Sequence, residues 1–190
     1  LVDGCSDAVS FLAAVKSEYP RDYVLSYEKI QTYCEAAFRP KLSVYVSKFS
    51  VFRVPISLQD WVQDSLRSDA DRPKSLWLVG PSRLGKTEWA RSLGKHTYFN
   101  GMFNLKDWNY DAEYMVIDDI EWKYVPGKKG LIGAQQTITL SDKYVKKMTF
   151  SWGKPVIYLC NEDMDVFNTC DEKRWLWENA VYVMLKNKLY

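Results

Sequence analysis

Apolar positions along this chain come first at helical spacing and then as short dense runs. Val9, Phe11, Leu12 and Val15 share one helical face, with Ser6 or Asp7 placed to cap it and Pro20 to stop it. Asp22 is placed to cap a second helix through Val24, Leu25, Tyr27, Ile30, Tyr33 and Phe38, ending before Pro40. Leu42, Val44, Tyr45 and Val46, then Phe49, Val51, Phe52 and Val54, read as extended chain. Ser57 reads as the cap of a helix with Leu58, Trp61, Val62 and Leu66 on one face. Beyond a charged linker, Arg67 to Lys74, the period changes. Ser75–Val79, Tyr114–Asp119 and Pro155–Asn161 are short apolar runs of buried-strand character, and Ala180–Leu185 is a further strand. Glu88–Leu93 reads as a helix ended by Gly94, Asp171–Glu178 as another, and Tyr98–Gly101 as a short strand and turn. Leu105 to Asp111 has no readable period.

Strands alternating with helices predict an α/β fold with a parallel central sheet over about 57–190. Residues 1–56 read as a small helical region. Their pattern alone fits equally an appendage or an N-terminal extension of the same core. The chain has 190 residues, 47% hydrophobic and 15% aromatic, with eight Trp and thirteen Tyr, which suits a packed globular protein and argues against disorder. It contains no apolar run long enough to span a membrane, so no membrane association is expected. Starting at Leu1, it reads as a piece of a longer protein. The four cysteines form no C-x-x-C pair and His96 is the single histidine. That argues against a zinc site and predicts buried, reduced thiols.

The chemistry centres on Gly80-Pro81-Ser82-Arg83-Leu84-Gly85-Lys86-Thr87, which satisfies G-x-x-x-x-G-K-[ST]. A glycine loop between a strand and a helix can turn backbone N–H groups onto phosphate oxygens, and the helix start adds partial positive charge. Lys86 is the residue to reach the β- and γ-phosphates of ATP, and the Thr87 hydroxyl to bind Mg²⁺. The strand ending in Asp118-Asp119 follows about thirty residues on. It offers Asp118 as a second Mg²⁺ ligand and Asp119 as the group that orients the attacking water. Asn161 ends the next apolar strand, where a polar side chain can touch the γ-phosphate or its water. Between Lys123 and Lys154 stand seven lysines and one acid, Asp142, in a chain whose net charge is only +2. Thr137–Leu140 and Met148–Trp152 alternate like the arms of a β-hairpin, with Lys143, Tyr144, Lys146 and Lys147 near its tip. Cations with an aromatic residue on a protruding hairpin suit a single-stranded nucleic acid backbone, although a solvated hairpin has the same composition.

These motifs together resemble the helicase part of replication initiator (Rep) proteins of small circular single-stranded DNA viruses, geminiviruses and genomoviruses in particular. Besides the loop and the paired acids, the resemblance rests on Arg72-Pro73-Lys74-Ser75, Trp89 to Gly94, Leu131-Ile132-Gly133-Ala134-Gln135, and Gly153-Lys154-Pro155 leading to Leu159-Cys160-Asn161. It covers Arg72 to about Val183; residues 1–56 match only in position, where the family has a helical oligomerisation region. The resemblance implies a superfamily 3 helicase with an AAA+-type P-loop NTPase core, assembled as a ring, most often a hexamer, with ATP between subunits. Gly80 to Thr87 would be Walker A, Asp118-Asp119 Walker B, and Asn161 the γ-phosphate sensor. Lys143, Lys146 and Lys147 would fall in the DNA-binding hairpin, and Arg174 is placed for an arginine finger. Action in the host nucleus is implied in the same way. The family's nuclease domain, with its His-x-His site and catalytic tyrosine, has no counterpart here, so no nicking or joining is expected of this stretch. Other readings of the same motifs are a nucleotide-dependent oligomerisation module with little turnover and a P-loop small-molecule kinase.

Overall fold

A computed structural model describes residues 4–38, 45–141 and 147–190. The chain forms two compact units, Leu1–Ser43 and Val44–Tyr190.

The first unit holds three helices, α1 (Ala8–Glu18), α2 (Pro20–Leu25) and α3 (Tyr27–Ala37). Asp7 caps α1: its Oδ1 accepts from the Ser10 amide at 2.8 Å, and the Asp7 amide donates back to Ser10 Oγ. The second helix differs from the expected one. Pro20 opens α2 instead of only ending α1, because a proline at the first helical position forfeits no hydrogen bond. Asp22 lies inside α2, and the chain breaks at Ser26 before α3. Phe11, Val15 and Cys34 form the small core of this unit, with the Phe11 ring 5.5 Å from those of Tyr33 and Phe38.

In the second unit, residues 45–54, which read as extended chain, form an irregular strap. The next helix, α4 (Ile56–Trp61), starts directly after Pro55, and the Ser57 side chain makes no cap. It runs on as a single π-turn, Val62–Leu66, closed by the Arg67 amide donating to the Val62 carbonyl. Then follow β1 (Ser75–Val79), α5 (Lys86–Ser92), β2 (His96–Asn100), β3 (Tyr114–Asp118), α6 (Lys128–Ile132), β4 (Thr137–Leu140), β5 (Met148–Ser151), β6 (Val156–Cys160), α7 (Lys173–Asn179) and β7 (Ala180–Met184). Five strands make one sheet in the order β2-β3-β6-β1-β7, all parallel. The α/β class with a parallel sheet is thus present. The expected hairpin arms pair antiparallel as β4 and β5, with Ile138 opposite Phe150. Lys143, Tyr144 and Lys146 lie outside the described residues, and Lys147 is exposed at the start of β5.

Period-2 alternation divides the core between the two sheet faces. Trp77, Val79, Met115, Ile117, Tyr158 and Cys160 face one cluster, which also takes Ile138, Phe150 and Leu176. Leu76, Leu78, Val116, Ile157 and Leu159 face the other, with Leu58, Trp61, Trp89 and Ala90. Strands β1, β3 and β6 are buried at every position, which is why they read as unbroken apolar runs. Arg72 ties two of the family-like segments together, its Nε and Nη2 donating to the Gly133 carbonyl at 3.2 and 3.1 Å. Cys34 and Cys160 are buried as expected, whereas Cys5 and Cys170 are only half-buried, and none of the four forms a disulfide. No described helix is long and apolar enough to cross a membrane.

The topology makes a crevice. After β1 the chain passes through α5 onto one face of the sheet, where Trp89 and Ala90 pack. After β6 it passes through α7 onto the other face, where Leu176 packs. Neighbouring strands whose connections leave to opposite faces open a gap beyond their carboxyl ends, and in open parallel sheets ligands bind there.

Candidate functional site

That gap is lined by the loop after β1, the acids ending β3 and the asparagine after β6. Gly80 opens the loop with φ +154, and a Cβ there would stand 2.5 Å from the Leu185 carbonyl oxygen. Arg83 (φ 65) and Gly85 (φ 91) are also in the left-handed region, so the chain curls tightly before α5 begins at Lys86. Lys86 is buried, 8% exposed, and its Nζ folds back over the loop. It donates to the carbonyls of Gly80 and Pro81 at 2.5 and 3.0 Å and to Asn161 Oδ1 at 3.2 Å. These three acceptors are neutral. Among the described residues no ion pair involves Lys86, so its charge is available to an anionic ligand. Burial pushes its pKa down, and the carboxylates of Asp118 and Asp119 pull it back up.

Thr87 Oγ1 donates to Asp118 Oδ2 at 2.8 Å, and the Tyr98 hydroxyl donates to the same oxygen at 3.0 Å. Burial raises the Asp118 pKa, while these two hydrogen bonds oppose the rise. Tyr98 is pushed upward by burial first and then by Asp118, which keeps it a hydroxyl donor. Asp119 stands at φ 52, turned out of the strand direction at the end of β3. Ser82 Oγ reaches Asn161 Oδ1 at 3.5 Å, so the loop and the β6 terminus meet directly. Loop, acids and Asn161 line one cleft of about 370 Å³, completed by Phe49, Glu88, Lys188 and Tyr190.

The structure therefore gathers Ser82 to Thr87, Asp118, Asp119 and Asn161, with Gly80 and Pro81 behind the Lys86 amine. It does not bring Arg174 to them. That side chain is 93% exposed on α7, 3.8 Å from Glu178. Of the hairpin lysines only Lys147 is described, and it does not line the cleft. Several supporting residues had no signal in the sequence. The Arg91 guanidinium is sandwiched between the rings of Tyr45 and Tyr98, 3.8 and 3.9 Å from their centroids. Glu88 accepts from Ser47 Oγ and the Lys48 amide, which fastens the strap to α5. The contacts of Tyr45, Ser47 and Lys48 with α5 join segments forty or more positions apart, and no local pattern announces them.

The sequence compares closely with known viral proteins. The chain is similar to viral replication-associated proteins. Residues 3–89 match the model of the geminivirus Rep protein central domain. Over 189 residues, 95% of this chain, it is 35% identical to the replication-associated protein of Bean yellow dwarf virus, covering 57% of that protein. The counterpart from Tobacco yellow dwarf virus (strain Australia) is 36% identical over 87% of this chain and 51% of its own length. That from Chloris striate mosaic virus is 35% identical over 90% and 49%. The chain thus spans about half the length of the curated relatives it matches.

His96, behind α5, gives a pH dependence to this region. Its Nδ1 lies 2.9 Å from the Gly94 carbonyl, and Arg91 Nε donates to its Nε2 at 3.2 Å. A neutral ring with its proton on Nδ1 satisfies both partners. Burial pushes its pKa below the ordinary 6.5, with Arg91 adding to the fall and the Gly94 carbonyl opposing it. The unfolded chain therefore takes up a proton first, and stability declines as pH drops through about 6.5. We expect the melting temperature to fall between about pH 7.5 and 5.5 and His96→Gln to flatten that slope. Identical slopes in the two proteins would remove His96 as the cause.

Proposed function

We propose that this chain is the ATP-hydrolysing, DNA-translocating part of a viral replication initiator. One observation carries the reading. At the carboxyl ends of three adjacent strands, Lys86 Nζ reaches Asn161 at 3.2 Å while Thr87 and Asp118 meet at 2.8 Å. The strand order and the relatives' name, replication-associated protein, support it.

In this reading the loop after β1 cradles the phosphates of ATP, with Lys86 against the β- and γ-phosphates. Mg²⁺ fits the donors present: a hydroxyl and a carboxylate are hard oxygen ligands, and phosphate oxygens and water complete such a shell. Thr87 and Asp118 would hold it, and it would neutralise phosphate charge. No group of three or more His, Cys, Asp or Glu among the described residues could hold a metal alone. This suits an ion that arrives with the nucleotide. Asp119 orients a water toward the γ-phosphorus; the water oxygen bonds to phosphorus as the bond to the bridging oxygen breaks, giving inorganic phosphate and ADP, with the water's proton released to solvent. Asn161 reports the presence of the γ-phosphate to Lys86 and Ser82. Arg174, exposed on α7, would act on a neighbouring subunit's nucleotide in a hexameric ring, a contribution of about 10³–10⁵ in rate. Lys143, Lys146 and Lys147 would grip single-stranded DNA, and the site of action would be the host nucleus.

The test is steady-state ATPase rate against protein concentration, with and without single-stranded DNA, beside Lys146→Ala/Lys147→Ala. A rate per subunit that rises with both, and loses its DNA response in the double variant, is expected. A rate independent of both would mean a site complete in one subunit, as in a small-molecule kinase. Assembly with ATP but negligible turnover would leave only a nucleotide-dependent oligomerisation module.

A further inference from the structure

The cleft has two chemistries. Where Thr87 meets Asp118 it is anionic and oxygen-rich. On the other side of the loop, at Gly85, it is aromatic. One edge of the Tyr190 ring abuts Gly85: a Cβ there would stand 2.7 Å from Tyr190 Cδ1 and 3.0 Å from Cε1. The Phe49 ring stacks on Tyr190, 3.9 Å between centroids and 15° between planes. Lys188 Nζ stands 5.5 Å from the Tyr190 centroid.

We infer that Phe49 and Tyr190 are the nucleobase-binding residues of this cleft, holding the purine of a nucleoside triphosphate by stacking. The inference rests on the phosphate-binding reading of the loop. A nucleotide is an anion at one end and an aromatic plane at the other; the Lys86 ammonium in the loop complements the first and the two rings the second. Two further observations separate the pair from ordinary core packing. Both rings line the cleft and neither is buried, Tyr190 being 39% exposed. The C-terminal segment that carries Tyr190 is tied to the loop, and the strap that carries Phe49 is tied to that segment. The Leu189 amide donates to the Leu84 carbonyl at 2.9 Å, the Arg53 amide to the Leu189 carbonyl at 2.6 Å, and the Tyr190 hydroxyl to the Arg83 carbonyl at 3.1 Å. The aromatic surface is therefore held at a fixed distance from the phosphate loop, as a bidentate ligand requires. Any purine has a π-face, so stacking of this kind binds the base without reading its edge.

The test is calorimetric binding, in Mg²⁺, of ATP and of inorganic tripolyphosphate, which carries the phosphates without a base. Stacking contributes about 1–3 kcal/mol per base, and 1.4 kcal/mol is tenfold. Tyr190→Ala and Phe49→Ala are each expected to weaken ATP by about tenfold. Tripolyphosphate should stay within about twofold, and Tyr190→Phe, which keeps the ring and loses only the hydroxyl bond to the Arg83 carbonyl, should weaken ATP much less than Tyr190→Ala. Equal weakening of both ligands would mean that the rings only brace the loop, and unchanged ATP affinity in both alanine variants would mean that they touch no base; either overturns the inference. In these two cases the parent still binds tripolyphosphate and Lys86→Ala does not, so the phosphate site survives. A parent that binds neither ligand overturns both readings.

Discussion

Lys86→Ala is expected to lower ATP turnover by more than about 10³-fold. Its ammonium is the one cation packed inside the phosphate loop, 8% exposed and held by two carbonyls and Asn161. Phosphoryl transfer needs little covalent help and depends on positive charge placed in advance, so removing this charge removes most of the site's electrostatic contribution. The substitution also relieves a buried charge whose desolvation already depresses its pKa. That gain offsets the two carbonyls left without a donor, so the melting temperature is expected to move little. A kinetic assay beside a thermal melt separates the two effects. Full turnover in a folded Lys86→Ala protein would exclude this cleft as the place of hydrolysis.

The second large effect concerns Asp119. At φ 52 its backbone is in a region that asparagine and aspartate enter more readily than most residues. Asp119→Asn therefore keeps shape and backbone while removing the carboxylate proposed to orient water. Turnover should fall by about 10²–10⁴-fold with ATP affinity nearly kept. Asp118→Asn should differ, because Asp118 accepts from Thr87 and Tyr98 and stands where the metal fits. Its loss should weaken Mg²⁺-dependent binding as well as turnover. Single-turnover rates with measured ATP affinity distinguish the two carboxylates, and equal losses of affinity would contradict the division of roles.

Much of this arrangement was legible before any coordinates. Ser75–Val79, Tyr114–Asp118 and Val156–Cys160 announce themselves because strands buried on both faces must be apolar at every position. The loop announces itself because Gly80 and Gly85 occupy backbone angles that few other residues adopt. Helix starts were less legible. Ser57 looked like a cap and Asp22 like another, yet Pro55 and Pro20 set the true beginnings of α4 and α2. A proline fixes φ and needs no donor, which outweighed the side-chain signal. Residues 105–111, without a readable period, hold a short 3₁₀ turn at Leu105–Asp107. Buried Leu105 and Trp108 pin this segment to the core, and Trp108 stacks on Phe150.

The sequence alone points to the candidate residues: Lys86 and Thr87 through the spacing of the glycine loop, Asp118 and Asp119 through the apolar strand they end, and Asn161 through the family resemblance. The tertiary structure decided what surrounds them. That Asp118 receives Tyr98, that Tyr45 and Tyr98 clamp Arg91, and that Phe49 and Tyr190 close the aromatic side of the cleft follow from strand order and from the path of the strap. The physical reason is range. Backbone angles, caps and strand burial are set by neighbours a few positions away and leave a pattern in the chain. Phe49 and Tyr190 stand 141 positions apart in sequence and meet where Tyr190 packs beside the loop after β1 and Phe49 stacks on its ring.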